Sequence, residues 1–183
     1  MTTRIPLHPS IEAAPEAARP TLESIKKQMG SVPNVFRMMA NSPAVLEAYS
    51  SLNAALGKGK LDKKIRERIA LAIAQKNGCG YCLAAHTYTG THVTKLSIDE
   101  IAAARRGGSS EPKADAAVKF AVKIAEDRGS VSEAELEAMR AAGFDDGELL
   151  EIVAHVAANT FTNYMNEAFK TEVDFPKVDH HAA

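Results

Sequence analysis

Apolar residues recur along this chain at spacings of three and four, and almost nowhere in strict alternation, so the pattern predicts helices from end to end. A first short helix is expected from Thr21 to Met29, stopped by Gly30, and another begins near Pro33 with Val35, Phe36, Met38 and Met39. Ser42-Pro43 has the form of an N-cap with proline at the first helical position. It opens a helix carrying Val45, Leu46, Tyr49, Leu52 and Leu56, with Gly57 at its end and a flexible Gly57–Lys60 connector after it. Asp62 caps the next helix, where Ile65, Ile69, Ala72 and Ile73 make an apolar stripe that runs to Asn77-Gly78.

A helix containing both cysteines follows directly. Ser97–Glu100 and Ser132–Glu135 read as capping boxes, each starting a helix that ends at Gly107-Gly108 and Gly143 respectively. Between them, residues 113–128 present a broad apolar face, and a last long helix is expected from about Asp146 to Phe169. The fold class is therefore all-α. Residues 1–20 hold four of the eight prolines and read as an extended arm, residues 21–170 as one helical domain, and 171–183 as a loose tail.

Composition narrows the function by exclusion. The net charge of -1 gives no electrostatic reason to invoke nucleic acid, and no apolar run approaches a membrane span. The N-terminus lacks the basic-then-apolar order of a signal peptide, so cytoplasm is the expected location. In that compartment a single C-x-x-C is catalytic or metal-binding more often than a structural staple.

The chemistry concentrates at Cys79-Gly80-Tyr81-Cys82, which holds the only two cysteines of 183 residues. A helix start favours thiolates because its first N–H groups lack partners. His86 shares a helix face with Cys82 at i+4, where it can take the thiol proton or stabilise the thiolate. Glu67 lies on the preceding helix and reaches the cysteines if the two helices pack antiparallel, completing a Glu–His–Cys relay. Taken alone, Glu67 reads better as a solvated charge between Arg66 and Arg68. A zinc site built from Cys79, Cys82 and His86 with Glu67 or His92 is the main alternative for the cluster. The preferred reading requires neither metal nor organic cofactor.

The stretches Arg66–Ala72, Asn77–Cys82 and Ala85-His86 together resemble the core motif of the alkylhydroperoxidase D-like proteins of the carboxymuconolactone decarboxylase superfamily. Similarity extends from about Ser31 to Pro176, and Ala158–Asn166 looks like the C-terminal signature of the peroxidase-related subgroup. The resemblance implies an all-helical homo-oligomer with cysteines near subunit contacts. It also implies a peroxide-attacking Cys82, a resolving Cys79, a proton relay through Glu67 and His86, and a dithiol donor such as a dihydrolipoyl protein. This chain has Tyr81 where the best-studied members carry a further histidine, and a phenol is a poor base near neutral pH.

The expected function is thus a thiol-dependent peroxidase acting on hydroperoxides. The alternatives are a dithiol–disulfide oxidoreductase or redox sensor, and more remotely a lactone decarboxylase or a non-catalytic helical assembly protein.

The remaining residues carry weaker expectations. His92 and His155 read as ordinary half-buried histidines, and His180-His181 as an adventitious metal tail. Met38-Met39 and the Phe161, Tyr164 and Met165 cluster read as core or subunit interface. A shift of 84 residues aligns Glu67 with Glu151 and Cys79-x-x-Cys82 with Asn163-x-x-Asn166. That register is either an ancient duplication, in which two helix pairs should superimpose about a pseudo-twofold, or a chance match of two amphipathic helices.

Overall fold

The computed structural model describes residues 3–179. Among them the regular structure is helical: α1 (Arg19–Met29), α2 (Asn34–Met39), α3 (Pro43–Leu56), α4 (Lys63–Lys76), α5 (Gly80–Thr89), α6 (Ile98–Arg105), α7 (Pro112–Glu126), α8 (Glu133–Ala141) and α9 (Asp146–Phe169). A 3₁₀ turn (Glu16–Ala18) precedes α1, and a π-helical segment (Gly90–Thr94) continues α5.

Helix starts follow the capping residues read from the sequence. Asp62 accepts from the N–H groups of Lys64 and Ile65, and Ser132 with Glu135 forms a reciprocal capping box. Ser42 occupies its N-cap position without a side-chain hydrogen bond, leaving Pro43 as the start signal. Asp145 and Glu148 add a capping box at the head of α9.

Helix α4 is the centre of the molecule. It packs against α5, α6, α7 and α9, and Ile69, Leu71, Ile73 and Ala74 are all fully buried. The stripe expected on one face is burial on every side from Glu67 to Ala74, so α4 carries two charged residues, Glu67 and Arg68, into the interior. Arg68 is 1% exposed. Its Nε donates to Glu100 at 2.7 Å and its Nη2 to Glu111 at 2.5 Å.

That ion pair explains why Ser97–Glu100 is only half a capping box. Ser97 accepts from the Glu100 N–H, but the Glu100 carboxylate turns to Arg68, the Ser109 hydroxyl and the Ser110 N–H. Burial alone would raise the Glu100 carboxyl. The hydrogen bonds from Ser109, Ser110 and Arg68 outweigh it and bring the pKa down to about 2. A carboxylate depressed from about 4.3 when unfolded contributes stability that is full above that value and is lost as pH falls towards about 2. Glu100→Gln should accordingly flatten the fall in urea midpoint between about pH 5 and pH 2. Wild-type and variant midpoints that fall in parallel would remove Glu100 from acid unfolding.

Two expectations are corrected. The Gly57–Lys60 connector is pinned, because the Glu151 carboxylate accepts from the N–H groups of Lys60 and Leu61 at 2.9 and 2.8 Å. Gly59 lies so close to that carboxylate that a Cβ would collide with it. The tail is not loose over residues 171–179. Val173, Phe175 and Val178 pack on the core, Asn34 Nδ2 donates to the Glu172 carbonyl at 3.0 Å, and Thr171 Oγ1 donates to Met38 Sδ at 3.2 Å. His180 and His181 lie outside the described residues. Helix α9 is one uninterrupted helix, as its pattern predicts, so both halves of a second copy would lie in a single helix and the chance match of two amphipathic helices is the reading that stands.

The N-terminal arm wraps the domain but is shorter than the expected 1–20, because a turn closed by the Ala14 N–H on the Ile11 carbonyl and the 3₁₀ turn lead into α1 at Arg19. The Arg4 N–H donates to the Phe169 carbonyl at 2.7 Å, and Ile5, Leu7 and Ile11 pack on the core.

Candidate functional site

Gly78, at φ 65°, turns the chain out of α4, and the Cys79 N–H closes that turn on the Ala74 carbonyl at 2.9 Å. Cys79 is then the N-cap of α5, its sulfur accepting from the Cys82 N–H at 3.3 Å. The two cysteines are joined as a disulfide with a Cα–Cα separation of 5.3 Å. Cys79 is fully buried and Cys82 is 4% exposed.

Packing of α4 against α5 brings Glu67 to His86, with Glu67 Oε1 2.8 Å from His86 Nδ1. Glu67 is buried, at 8% exposure, so it is not the solvated charge it resembles when taken alone. An ionised carboxylate at Nδ1 holds the imidazole proton there and leaves Nε2 free to accept one. His86 and Cys82 share the wall of a cavity of about 170 Å³, together with Val35, Phe36, Tyr49 and Phe175. All four candidate residues therefore converge, with Cys82 and His86 facing the cavity and Glu67 behind the histidine.

Tyr81 takes no part in proton transfer here. Its hydroxyl accepts from the Val35 N–H at 3.2 Å and donates to Asp174 Oδ1 at 2.8 Å. Burial, with the Asp174 charge beside it, pushes the phenol well above its ordinary value.

Two further residues belong to the site. Asn166 on α9 donates from Nδ2 to Cys82 Sγ at 3.3 Å, the kind of contact that favours a thiolate. The sequence register carried this signal in a misleading form. Of the positions that the 84-residue shift aligns, Cys82 and Asn166 touch, while Asn163 accepts from Asn77 at 2.9 Å nearby.

His155 is the second. It is buried, its Nε2 has no hydrogen-bond partner, and burial together with the Arg66 charge pulls its pKa down to about 4. It lines a second cavity of about 260 Å³, whose wall includes Arg66, Glu67, His86 and Asn159. His86 borders both this space and the cysteine cavity, with Glu67 on the side away from Cys82.

Of the zinc alternative, His92 turns away, its Nδ1 3.0 Å from the Tyr88 carbonyl oxygen. Among the described residues no group of three or more His, Cys, Asp or Glu side chains is arranged to hold a metal ion. No helix among them is long and apolar enough to cross a membrane.

A buried C-x-x-C at a helix start, backed by a glutamate–histidine pair on an all-helical core, defines an AhpD-like domain. The model of the carboxymuconolactone decarboxylase family matches residues 43–127, which contain Glu67, Cys79, Cys82 and His86. A peroxidase-related protein from Ralstonia eutropha JMP134, described as an alkylhydroperoxidase AhpD core, is 30% identical. It superposes with a TM-score of 0.82 over 95% of this chain and 93% of its own. The chain belongs to the carboxymuconolactone decarboxylase superfamily, with AhpD-like, peroxidase-related structural neighbours. An uncharacterised Haemophilus influenzae protein is 40% identical over 63 residues, 34% of this chain, and the match spans only half of that relative's length. The debrominase Bmp8, in a variant bound to 2,3,4-tribromopyrrole, shares the fold at 20% identity and a TM-score of 0.72, over 95% of this chain and 91% of its own.

Proposed function

We propose that this protein is a thiol-dependent peroxidase that reduces hydroperoxides. The Cys82 thiolate attacks the outer peroxide oxygen, the O–O bond breaks, and the leaving alkoxide takes a proton from the His86–Glu67 pair. Cys82 is left as a sulfenic acid. The Cys79 thiol attacks that sulfur, the disulfide forms, and the hydroxyl leaves as water. A dithiol donor, with a dihydrolipoyl group as the chemical type, returns both cysteines to thiols. The observation that carries this reading is that Cys82 lines the same cavity as a histidine whose Nδ1 is held by a buried carboxylate.

The deciding experiment is a steady-state assay of several hydroperoxides with several dithiol donors, run beside Cys82→Ser. Wild-type turnover that the variant lacks supports the reading, and equal rates in both overturn it. A dithiol–disulfide oxidoreductase acting on folded proteins is less well served, since 0% and 4% exposure leaves no surface for a protein disulfide to meet. A lactone decarboxylase has no evident use for the dithiol.

We also propose that the chain self-associates through α9. Leu150, Val153, Phe161 and Tyr164 are 73, 44, 39 and 64% exposed and follow one another at helical spacing. Phe161 stacks on Tyr49, a wall of the cysteine cavity, at 5.7 Å. Light scattering should show Leu150→Glu/Tyr164→Glu losing mass relative to wild type. A wild-type mass equal to one chain refutes the association.

A further inference from the structure

The Cys79–Cys82 disulfide is buried, yet under the proposed function a reductant must reach it. Thiol–disulfide exchange needs a thiolate to approach one sulfur directly and form a mixed disulfide. Cys79 is fully buried, so only Cys82, on the cavity wall, can be attacked. In that step the donor thiolate bonds to Cys82 Sγ, the S–S bond breaks, and Cys79 leaves as a thiolate. The Cys82 N–H already directed at Cys79 Sγ favours that leaving group. The donor's second thiol then attacks the mixed disulfide, freeing Cys82 and closing the donor's own disulfide. Both substrates, hydroperoxide and dithiol, therefore pass through one small cavity.

One wall of that cavity is not part of the helical bundle. Lys170, in the left-handed conformation at φ 50°, turns the chain out of α9, and the segment after it runs back across the mouth of the site. The segment is fixed by Asp174, whose two carboxylate oxygens hold different elements: Oδ1 accepts from the Tyr81 hydroxyl and Oδ2 from the Asn34 N–H, each at 2.8 Å. The next residue, Phe175, is thereby set edge-on to Tyr81 at 5.8 Å and against Tyr88 at 5.9 Å. From there it lines the cavity with Cys82 and His86. At about 170 Å³, this space is well below the roughly 300–1,000 Å³ of pockets that hold drug-sized ligands.

We propose that Phe175, positioned by the Tyr81–Asp174 hydrogen bond, is the specificity-determining wall of the cysteine site, admitting small or slender hydroperoxides and a dithiol on a slim aliphatic arm while excluding bulky ones. The inference rests on the peroxidase reading for its substrates, but the wall itself is tested without turnover. Tyr81, between the two cysteines, takes on a positioning role in place of a basic one. Its phenol ties the cysteine helix to the segment that shapes the entrance.

The test alkylates the reduced full-length protein with iodoacetamide and, separately, with N-(1-pyrenyl)maleimide, following the rate at Cys82 by mass spectrometry. In Phe175→Ala the ratio of bulky to small reagent rates should rise about tenfold. Tyr81→Phe, which keeps the ring and loses the hydroxyl's bonds to Asp174 and to the Val35 N–H, should raise the same ratio by a smaller factor. Hydroperoxide turnover adds a second comparison, in which Phe175→Ala should gain on cumene hydroperoxide relative to hydrogen peroxide. An unchanged ratio in both variants overturns the proposal, as does an equal rise with both reagents, which reports general loosening. A wild-type protein without peroxidase activity would refute the functional reading and leave the alkylation result standing.

Discussion

Cys82→Ser should remove hydroperoxide consumption altogether, a loss of more than about a thousandfold, whereas Cys79→Ser, pre-reduced and assayed without a dithiol donor, should still consume one equivalent and stop. The asymmetry comes from where the two sulfurs lie. Cys82 faces the cavity, accepts from Asn166 Nδ2, and shares its wall with His86. Cys79 is fully buried, its sulfur directed at the first turn of α5. A serine hydroxyl at position 82 has the geometry but neither the acidity nor the polarisability to open an O–O bond. In Cys79→Ser the attacking thiol is intact and the resolving one is gone, so the oxidised product is a sulfenic acid on Cys82. Mass spectrometry reads it directly as one added oxygen on the Cys82 peptide. The same oxygen on Cys79 in the reciprocal variant would reverse the two roles.

Helix order was legible because its signals are local. Asp62, Ser132 and Gly30 act within one turn of their own backbone, and the structure uses each of them as the spacing implies. What failed to show was long-range. The Ser97–Glu100 pattern is a sound capping box on its own, and nothing nearby announces that Arg68 will take the glutamate. The connector at Gly59 reads as flexible until Glu151, more than ninety residues away by the Lys60 contact, caps its N–H groups. The tail reads as loose because Val173, Phe175 and Val178 are too sparse for helical periodicity. They dock as single side chains, with Asp174 supplying the polar anchor.

The site was legible to a greater extent, for a physical reason. An N-cap position, an i+4 histidine and a carboxylate one helix earlier constrain one another once α4 and α5 pack together, and the 2.8 Å Glu67–His86 contact follows from that packing. Tyr81 was visible only as the loss of a base. Its gain, an anchor to Asp174, depends on a partner 93 residues away. The apparent duplication shows the opposite hazard: one aligned pair, Cys82 and Asn166, meets across the core, and that contact is no sign of a common ancestor.

Removing the histidine or its carboxylate should cost about 10²–10⁴ in turnover, the range that one positioned proton donor supplies. The two variants are expected to differ in kind. His86→Ala takes away the group that accepts the Cys82 proton, so the pH midpoint for thiol alkylation should move up as well as the rate falling. Glu67→Gln keeps the size and burial of the side chain but lets an amide N–H face Nδ1. The imidazole proton is then driven to Nε2, where the free lone pair had been, and the base is present in the wrong tautomer. Because Glu67 acts only through His86, the double variant should be no slower than His86→Ala alone. Multiplying losses in the double variant would give Glu67 a separate task. The second cavity behind it, with Arg66 and His155 on its wall, is where that task would lie. An unchanged alkylation profile in His86→Ala would remove the histidine from thiol activation and leave the Asn166 contact and the helix start as what stabilises the Cys82 thiolate.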